Sequence, residues 1–282
     1  MTRLADRFQQ LHSEGRAALI PYVMTGEPEP DGTVALMHGL VRGGADIIEL
    51  GMPFSDPIAD GPVIQAAGER ALAAGCRLRD SLAAVRDFRE TDAHTPVVLM
   101  GYLNPVEIMG VDAFVDTANK AGVDGILLVD APPEEAGELT RKLAAVGIDM
   151  IFLIAPTTTR TRRERAVELA SGFLYYVSLK GVTGSGGLDV AAVQAELESL
   201  RDMSELPLAV GFGISDAATA GEVAGFADAV VIGSALVRHL HAAVEAPGTA
   251  GEAAEAFLQP IRRAIETAAQ THHSQAKDTV VK

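Results

Sequence analysis

Eight short, nearly continuous apolar runs recur along the chain, at 18–23, 46–50, 96–100, 125–129, 149–154, 173–177, 207–210 and 229–232. Such runs suit strands buried on both faces, as in a parallel sheet, and not the alternating pattern of a sheet with one wet side. Between them lie longer stretches rich in Ala, Leu, Glu and Arg, at 33–42, 64–74, 78–90, 111–121, 134–145, 161–170, 190–200 and 217–224. Parallel neighbours need a crossover, and a helix is the usual one. Eight strands each followed by a helix is the number that closes a (β/α)₈ barrel, and the length of 282 residues suits one. The alternative, an open doubly wound sheet, usually opens with a glycine fingerprint at its first turn. Here the first run leads into Met24-Thr25-Gly26-Glu27-Pro28, which lacks it.

Two further helical segments, 2–13 and 252–269, are expected to decorate the barrel as N- and C-terminal helices. Residues 1–270 read as a single barrel domain, and 271–282 as a polar, disordered C-terminal tail. Local signals mark several helix ends. Thr161 with Glu164 has the spacing of a capping box. Pro132 and Pro133 suit a first helical turn, and Gly122 and Gly147 sit where helices would stop.

Charge and cysteine usage narrow the function. A formal net charge of −15 argues against a broad nucleic-acid grip. Cys76 is the only cysteine, so no intrachain disulfide or Cys-based zinc site can form, and a reducing, cytoplasmic setting fits. The first fifteen residues have no apolar signal core, and no apolar run is long enough to span a bilayer. The seven histidines are scattered without metal-ligand spacing, and no metal is expected.

Barrel chemistry sits where strands end. The second run ends in Glu49-Leu50-Gly51, followed by a loop with three prolines that carries Asp56 and Asp60. A carboxylate inside an apolar strand is costly unless it is paired or working. Glu49 on the strand facing Asp60 on a closing loop makes a candidate acid/base pair. A structural salt bridge for Glu49 and a turn or cap role for Asp60 are the plainer readings. The sixth run ends near Tyr175 and leads to Ser178-Leu179-Lys180-Gly181-Val182-Thr183-Gly184-Ser185-Gly186-Gly187, whose free N–H groups suit a phosphate loop or a lid as well as a plain loop. The seventh ends in Gly211-Phe212-Gly213, which is no dinucleotide fingerprint because Asp216 occupies the third glycine position. The eighth ends in Ile232-Gly233-Ser234, where Ser234 can open a short helix aimed at an anion. Glycines after strands seven and eight form the common barrel phosphate site.

The stretch Glu49-Leu50-Gly51-Met52-Pro53-Phe54-Ser55-Asp56-Pro57-Ile58-Ala59-Asp60-Gly61-Pro62-Val63-Ile64-Gln65 resembles the signature segment of tryptophan synthase α chains, and Gly181-Val182-Thr183-Gly184 resembles that family's sixth loop. Val98-Leu99-Met100-Gly101-Tyr102-Leu103-Asn104-Pro105 resembles its apolar pocket wall, although Asn104 also suits a turn. Tyr22 and Met100 stand where the family often has Phe and Leu. The resemblance implies a retro-aldol cleavage of indole-3-glycerol phosphate to indole and glyceraldehyde 3-phosphate. Glu49 would be the general acid and base, and Asp60 the acceptor of the indole N–H. Thr183 would bond Asp60, and Tyr175 would position Glu49 or the substrate. Tyr22, Met100, Leu127 and Phe212 would hold the indole, while Gly184, Gly213, Gly233 and Ser234 would hold the phosphate. The resemblance further implies a β-chain partner in an αββα assembly, touched through the loop near Pro53 to Asp56. It implies no cofactor in this chain, since pyridoxal phosphate belongs to the β chain. Two rivals remain. One is another phosphate-gripping barrel enzyme, such as phosphoribosylanthranilate isomerase or indoleglycerol-phosphate synthase, although no strand carries the lysine a synthase needs. The other is a non-catalytic subunit that activates a β partner.

Overall fold

The computed structural model describes residues 2–178, 189–211, 213–243 and 250–280, with 270–280 described by backbone alone. Eight parallel strands close into a barrel in sequence order. They are β1 (Ala18–Met24), β2 (Ile48–Gly51), β3 (Val97–Gly101), β4 (Gly125–Leu128), β5 (Asp149–Ile154), β6 (Leu174–Val177), β7 (Leu208–Gly211) and β8 (Ala229–Ile232). Strand β8 returns to β1 through Ala18↔Ala229, so no sheet edge is left open. All seven residues of β1 are buried, which explains the unbroken apolar run. Alternate side chains split between two cores. Ala18, Ile20, Ile47, Val98, Leu127 and Ile151 fill the barrel, while Leu19, Val23, Ile48, Leu50, Leu99 and Ile126 pack outward against the helices.

The N-terminal end of the barrel is sealed. Helix α1 (Arg3–Ser13) places Leu4, Phe8 and Leu11 into the interior core, with the Phe8 and Phe173 rings 5.7 Å apart. A recurring clamp tightens the same end. A residue one to three positions before each even strand donates its N–H to the carbonyl of a residue on the preceding odd strand, and its side chain accepts that residue's N–H. Asp46 does this with Leu19, Asp124 with Val97, and Asp228 with Leu208, each side-chain bond being 2.8–2.9 Å. Ser171 does the same with Met150. Arg16 and Arg262 neutralise Asp46, and Arg89 pairs with Asp124. This corrects the start of the second strand: Asp46 is a clamp ahead of β2, because its carboxylate and N–H both serve β1.

The outer layer holds α2 (Thr33–Arg42), α3 (Pro62–Ala73), α4 (Leu78–Arg89), α5 (Leu103–Met109), α6 (Val111–Ala121), α7 (Gly137–Ala145), α8 (Arg160–Leu169), α9 (Val190–Arg201), α10 (Ala217–Ala224), α11 (Ser234–Ala243) and α12 (Ala250–Val280). Gly122 and Gly147 follow helix ends at φ +82° and +78°, the left-handed region that favours glycine. Helix α5 departs from the sequence reading. Pro105 sits in its first turn, where no intrahelical N–H is needed, so Asn104-Pro105 starts a helix and not a turn. The proposed capping box at Thr161 is also corrected. Thr159 is the N-cap of α8, Thr161 lies inside the helix, and Glu164 instead accepts from Arg160 at 2.9 Å. Pro132 opens a turn whose carbonyl accepts from Glu135 and Ala136, ahead of α7. Helix α12 carries its backbone through 271–280, the stretch expected as a tail. Its run from Thr271 to Val280 contains neither Gly nor Pro to stop a helix.

Candidate active site

With the N-terminal end plugged, the open C-terminal end of the barrel is where the strand-end residues gather. Glu49 is the second of the four β2 residues and points into the barrel beside Tyr22, its register partner on β1. Only 1% of it is exposed, and its Oε1 has no hydrogen-bond partner among the described residues. Burial, and secondarily the charge of Asp60, pushes its carboxyl up to about 8. Glu49 therefore holds its proton at neutral pH, because the apolar surroundings disfavour the charged form.

Asp60 reaches the same space from the loop between β2 and α3. Gly61 and Pro62 begin α3, with proline at a position where its missing N–H costs nothing. The Gln65 amide reaches back one turn and donates to the carbonyls of Pro57 (3.1 Å) and Asp60 (2.9 Å), which pins the loop. The Tyr102 hydroxyl donates to Asp60 Oδ2 (3.1 Å) and accepts the Ala59 N–H (3.0 Å). The Phe54 ring lies 5.0 Å from the Tyr102 ring. Burial pushes the Asp60 carboxyl up to about 6, and the Tyr102 hydrogen bond opposes that rise. At pH 7 the pair is therefore mostly one acid and one carboxylate, which is the division of labour that acid/base chemistry needs.

The walls are apolar and closely fitted. Gly51, Met100, Leu127 and Ile151 follow one another around the barrel in a single register row. Gly51 has a steric reason to be glycine: a Cβ there would lie 2.2 Å from the Tyr22 hydroxyl. Gly211 repeats the arrangement, with a Cβ falling 2.2 Å from the Tyr175 hydroxyl. Two tyrosines thus lie over two glycine strand ends, and burial pushes both phenols up, helped by the charges of Asp60 and then Glu49 at Tyr22 and of Glu49 at Tyr175. A small cavity is lined by Tyr22, Met52, Phe54, Asp60, Met100 and Tyr102. A larger cleft, of about 1000 Å³, lies at the sealed end beside α1 and holds none of these side chains.

A helix start lies beside Tyr22 as well. Gly233 lies against Tyr22, and α11 starts at the exposed Ser234, with its first helical bond running from the Val237 N–H to the Gly233 carbonyl. The N–H groups just before Val237 therefore have no partner within the helix, and the helix dipole favours negative charge there. Gly213 is exposed after β7 at φ +84°. Thr183, Gly184, Phe212 and Lys180 lie outside the described residues. Glu49, Asp60, Tyr22, Met100, Leu127, Tyr175, Gly213, Gly233 and Ser234 thus lie in or near the last residues of their strands, or in the loops that follow.

The sequence reading gives no role to Gln65, Gly51 or Gly211, and treats Tyr102 only as wall. One signal was available. Gly51 is two residues after Glu49 and Tyr102 two after Met100, so the strand period puts each pair on one face. Among the described residues, no group of three His, Cys, Asp or Glu could hold a metal ion, and no helix is long and apolar enough to cross a membrane.

Residues 8–266 match the family described as tryptophan synthase alpha chain. The tryptophan synthase alpha chain of Thioalkalivibrio sulfidiphilus is 55% identical, over 94% of this chain and 100% of that protein. The one from Burkholderia cenocepacia strain J2315 is 54% identical, over 96% and 99%. The crystal structure of tryptophan synthase subunit alpha from Legionella pneumophila str. Paris superposes with a TM-score of 0.89 at 45% identity, covering 95% of this chain and 99% of that one.

Proposed function

The chain belongs to the tryptophan synthase alpha chain family, and we propose that Glu49 and Asp60 carry its share of the family's reaction. That reaction is a lyase step of tryptophan biosynthesis, in which indole-3-glycerol phosphate is split by a retro-aldol cleavage into indole and glyceraldehyde 3-phosphate. Glu49, protonated at neutral pH, donates to indole C3. The ionised Asp60 accepts the indole N–H and stabilises the positive charge left on the ring. The Glu49 carboxylate then takes the proton of the side-chain hydroxyl. The C–O bond becomes a carbonyl, the carbon–carbon bond breaks, and its electron pair restores the aromatic indole. One proton leaves Glu49 and one returns, so the acid is regenerated.

The observation that carries this reading is a buried acid held up to about 8 on β2, near enough to feel the charge of a carboxylate held near 6 in the apolar-walled cavity. Tyr22, Met100, Leu127 and Phe212 are the proposed indole contacts, and Tyr175 positions Glu49 or the substrate chain. Thr183 is the proposed second partner of Asp60. Gly184, Gly213, Gly233 and Ser234 are the proposed phosphate contacts, supported for the last two by the α11 N-terminus.

The family's alpha chain works with a β chain, which carries the pyridoxal phosphate. An αββα assembly is our reading of that partnership. Ile58 and Ile108 are 87% and 79% exposed, on the loop and helix that Tyr102 joins, and this apolar face is where we place the β chain, together with Pro53 to Asp56. We also read residues 1–270 as one barrel domain and the cytoplasm as its location, which the lone Cys76 suits.

The deciding experiment measures indole release from indole-3-glycerol phosphate, with and without a β chain, for the unmodified protein and Glu49→Gln. Collapse of turnover in a variant with an unchanged circular dichroism spectrum supports the assignment. Equal turnover in both proteins would refute the role of Glu49, and no indole release by the unmodified protein in either condition would favour a subunit that only activates its partner.

A further inference from the structure

Tyr102 lies at the N-cap of α5 with 3% of its surface exposed, packed on Phe54. Its hydroxyl has one proton to give. The Ala59 N–H occupies its acceptor side at 3.0 Å, so the proton is directed at Asp60 Oδ2, 3.1 Å away. We propose that Tyr102 is a positioning residue that holds Asp60 as a carboxylate with Oδ2 engaged and Oδ1 turned to the indole N–H. This rests on the reading of Asp60 as the acceptor of that N–H.

Three features make the contact more than packing. The same hydroxyl binds the backbone of residue 59 and the side chain of residue 60, so it locks the loop turn and the carboxylate together against β3. Gln65 fixes the loop through carbonyls alone and leaves the carboxylate direction unset. The titratable groups that face Asp60 are Glu49 from β2, Tyr22 from β1 and Tyr102, and among the described residues none is a cation. Among the described residues, with no positive charge beside the carboxylate, the phenol is the group that favours its ionised form, as a hydrogen bond to a charged acceptor does.

The test uses the complex with the β chain and three replacements: Tyr102→Phe, Asp60→Asn, and Tyr102 exchanged for 3-fluorotyrosine. The isosteric phenylalanine keeps the ring on Phe54 and removes only the hydroxyl. One hydrogen bond to a charged group favours the ionised form by roughly tenfold. Tyr102→Phe should therefore lower kcat for indole release about tenfold, change KM by less than about threefold, and move the acid limb of the pH profile up by about one unit. Fluorotyrosine, a stronger donor, should move that limb down. A purely structural role moves neither limb. Superimposable pH profiles for Tyr102→Phe and the unmodified enzyme, with Asp60→Asn inactive, would overturn the proposal while leaving the Asp60 reading intact. Full turnover by Asp60→Asn would overturn both, and would place the failure in the Asp60 reading. If Tyr102→Phe does not fold, the fluorotyrosine arm decides, and an unmoved acid limb refutes the proposal.

Discussion

Glu49→Gln should make the protein more stable as pH rises, and the size follows from the site. In the unfolded chain this carboxyl titrates near 4.5, whereas burial in the barrel holds it up to about 8. Between those values the unfolded chain has released a proton that the native state still keeps. A folded value raised above the unfolded one means full stability below pH 4.5, lost progressively as pH climbs toward 8. Each unit is worth about 1.4 kcal/mol. The cost is therefore under about 1 kcal/mol at pH 5, roughly 3 kcal/mol at pH 7, and levels off near 5 kcal/mol above pH 9. Glutamine has the same shape and no titration, while Asp60 titrates in both proteins and largely cancels. Urea unfolding at pH 5, 7 and 9 measures the difference, followed by circular dichroism because the chain contains no tryptophan to report by fluorescence. The variant should match the parent at pH 5 and exceed it by several kcal/mol at pH 9. A difference that stays flat across that range would show that Glu49 is not held neutral, and the acid role would fall with it.

The same carboxyls predict a bell-shaped kcat/KM for indole release, rising through about 6 as Asp60 ionises and falling through about 8 as Glu49 deprotonates. These limbs belong to the interacting pair, and a profile flat from pH 5 to 9 would contradict the assignment. Gly51→Ala drives a methyl group to 2.2 Å from the Tyr22 hydroxyl and should cost roughly 1–3 kcal/mol. Tyr22→Phe in the same chain should recover part of that loss, and strictly additive unfolding energies would show the contact to be unimportant. Asp46→Ala removes the nearer of the two carboxylates that pair with the buried Arg262, at 2.6 Å against 3.2 Å for Glu266, and takes away the acceptor of the Leu19 N–H. A loss of about 3–5 kcal/mol in urea unfolding is expected, with a loss below about 1 kcal/mol counting against the clamp.

Much of this protein was decided one-dimensionally. Eight runs too short and too apolar for anything but twice-buried strands, each with a helix-length partner, allow few closed arrangements, because parallel strands need crossovers and an open edge is a liability. Glu49 stands out for an equally local reason, since a carboxylate in such a run must be paired or functional. The resemblance around residues 49–65 then names the chemistry. Helix starts were harder. The turn reading of Asn104 and the capping box at Thr161 both fail because backbone donors in a first turn need no intrahelical partner, so the residue types there permit several boundaries.

What the chain order could not decide was who meets whom across the barrel. Tyr102 joins Asp60 over 42 residues, and Arg262 reaches Asp46 over 216, through closure and helix packing that no local pattern encodes. Gly51 and Gly211 look like ordinary strand-end glycines until two tyrosine hydroxyls are found in the space a methyl group would take. The protonation of Glu49 and Asp60 likewise belongs to the folded state alone, because it depends on how much water the closed barrel and its loop exclude, and exclusion is a property of three-dimensional packing.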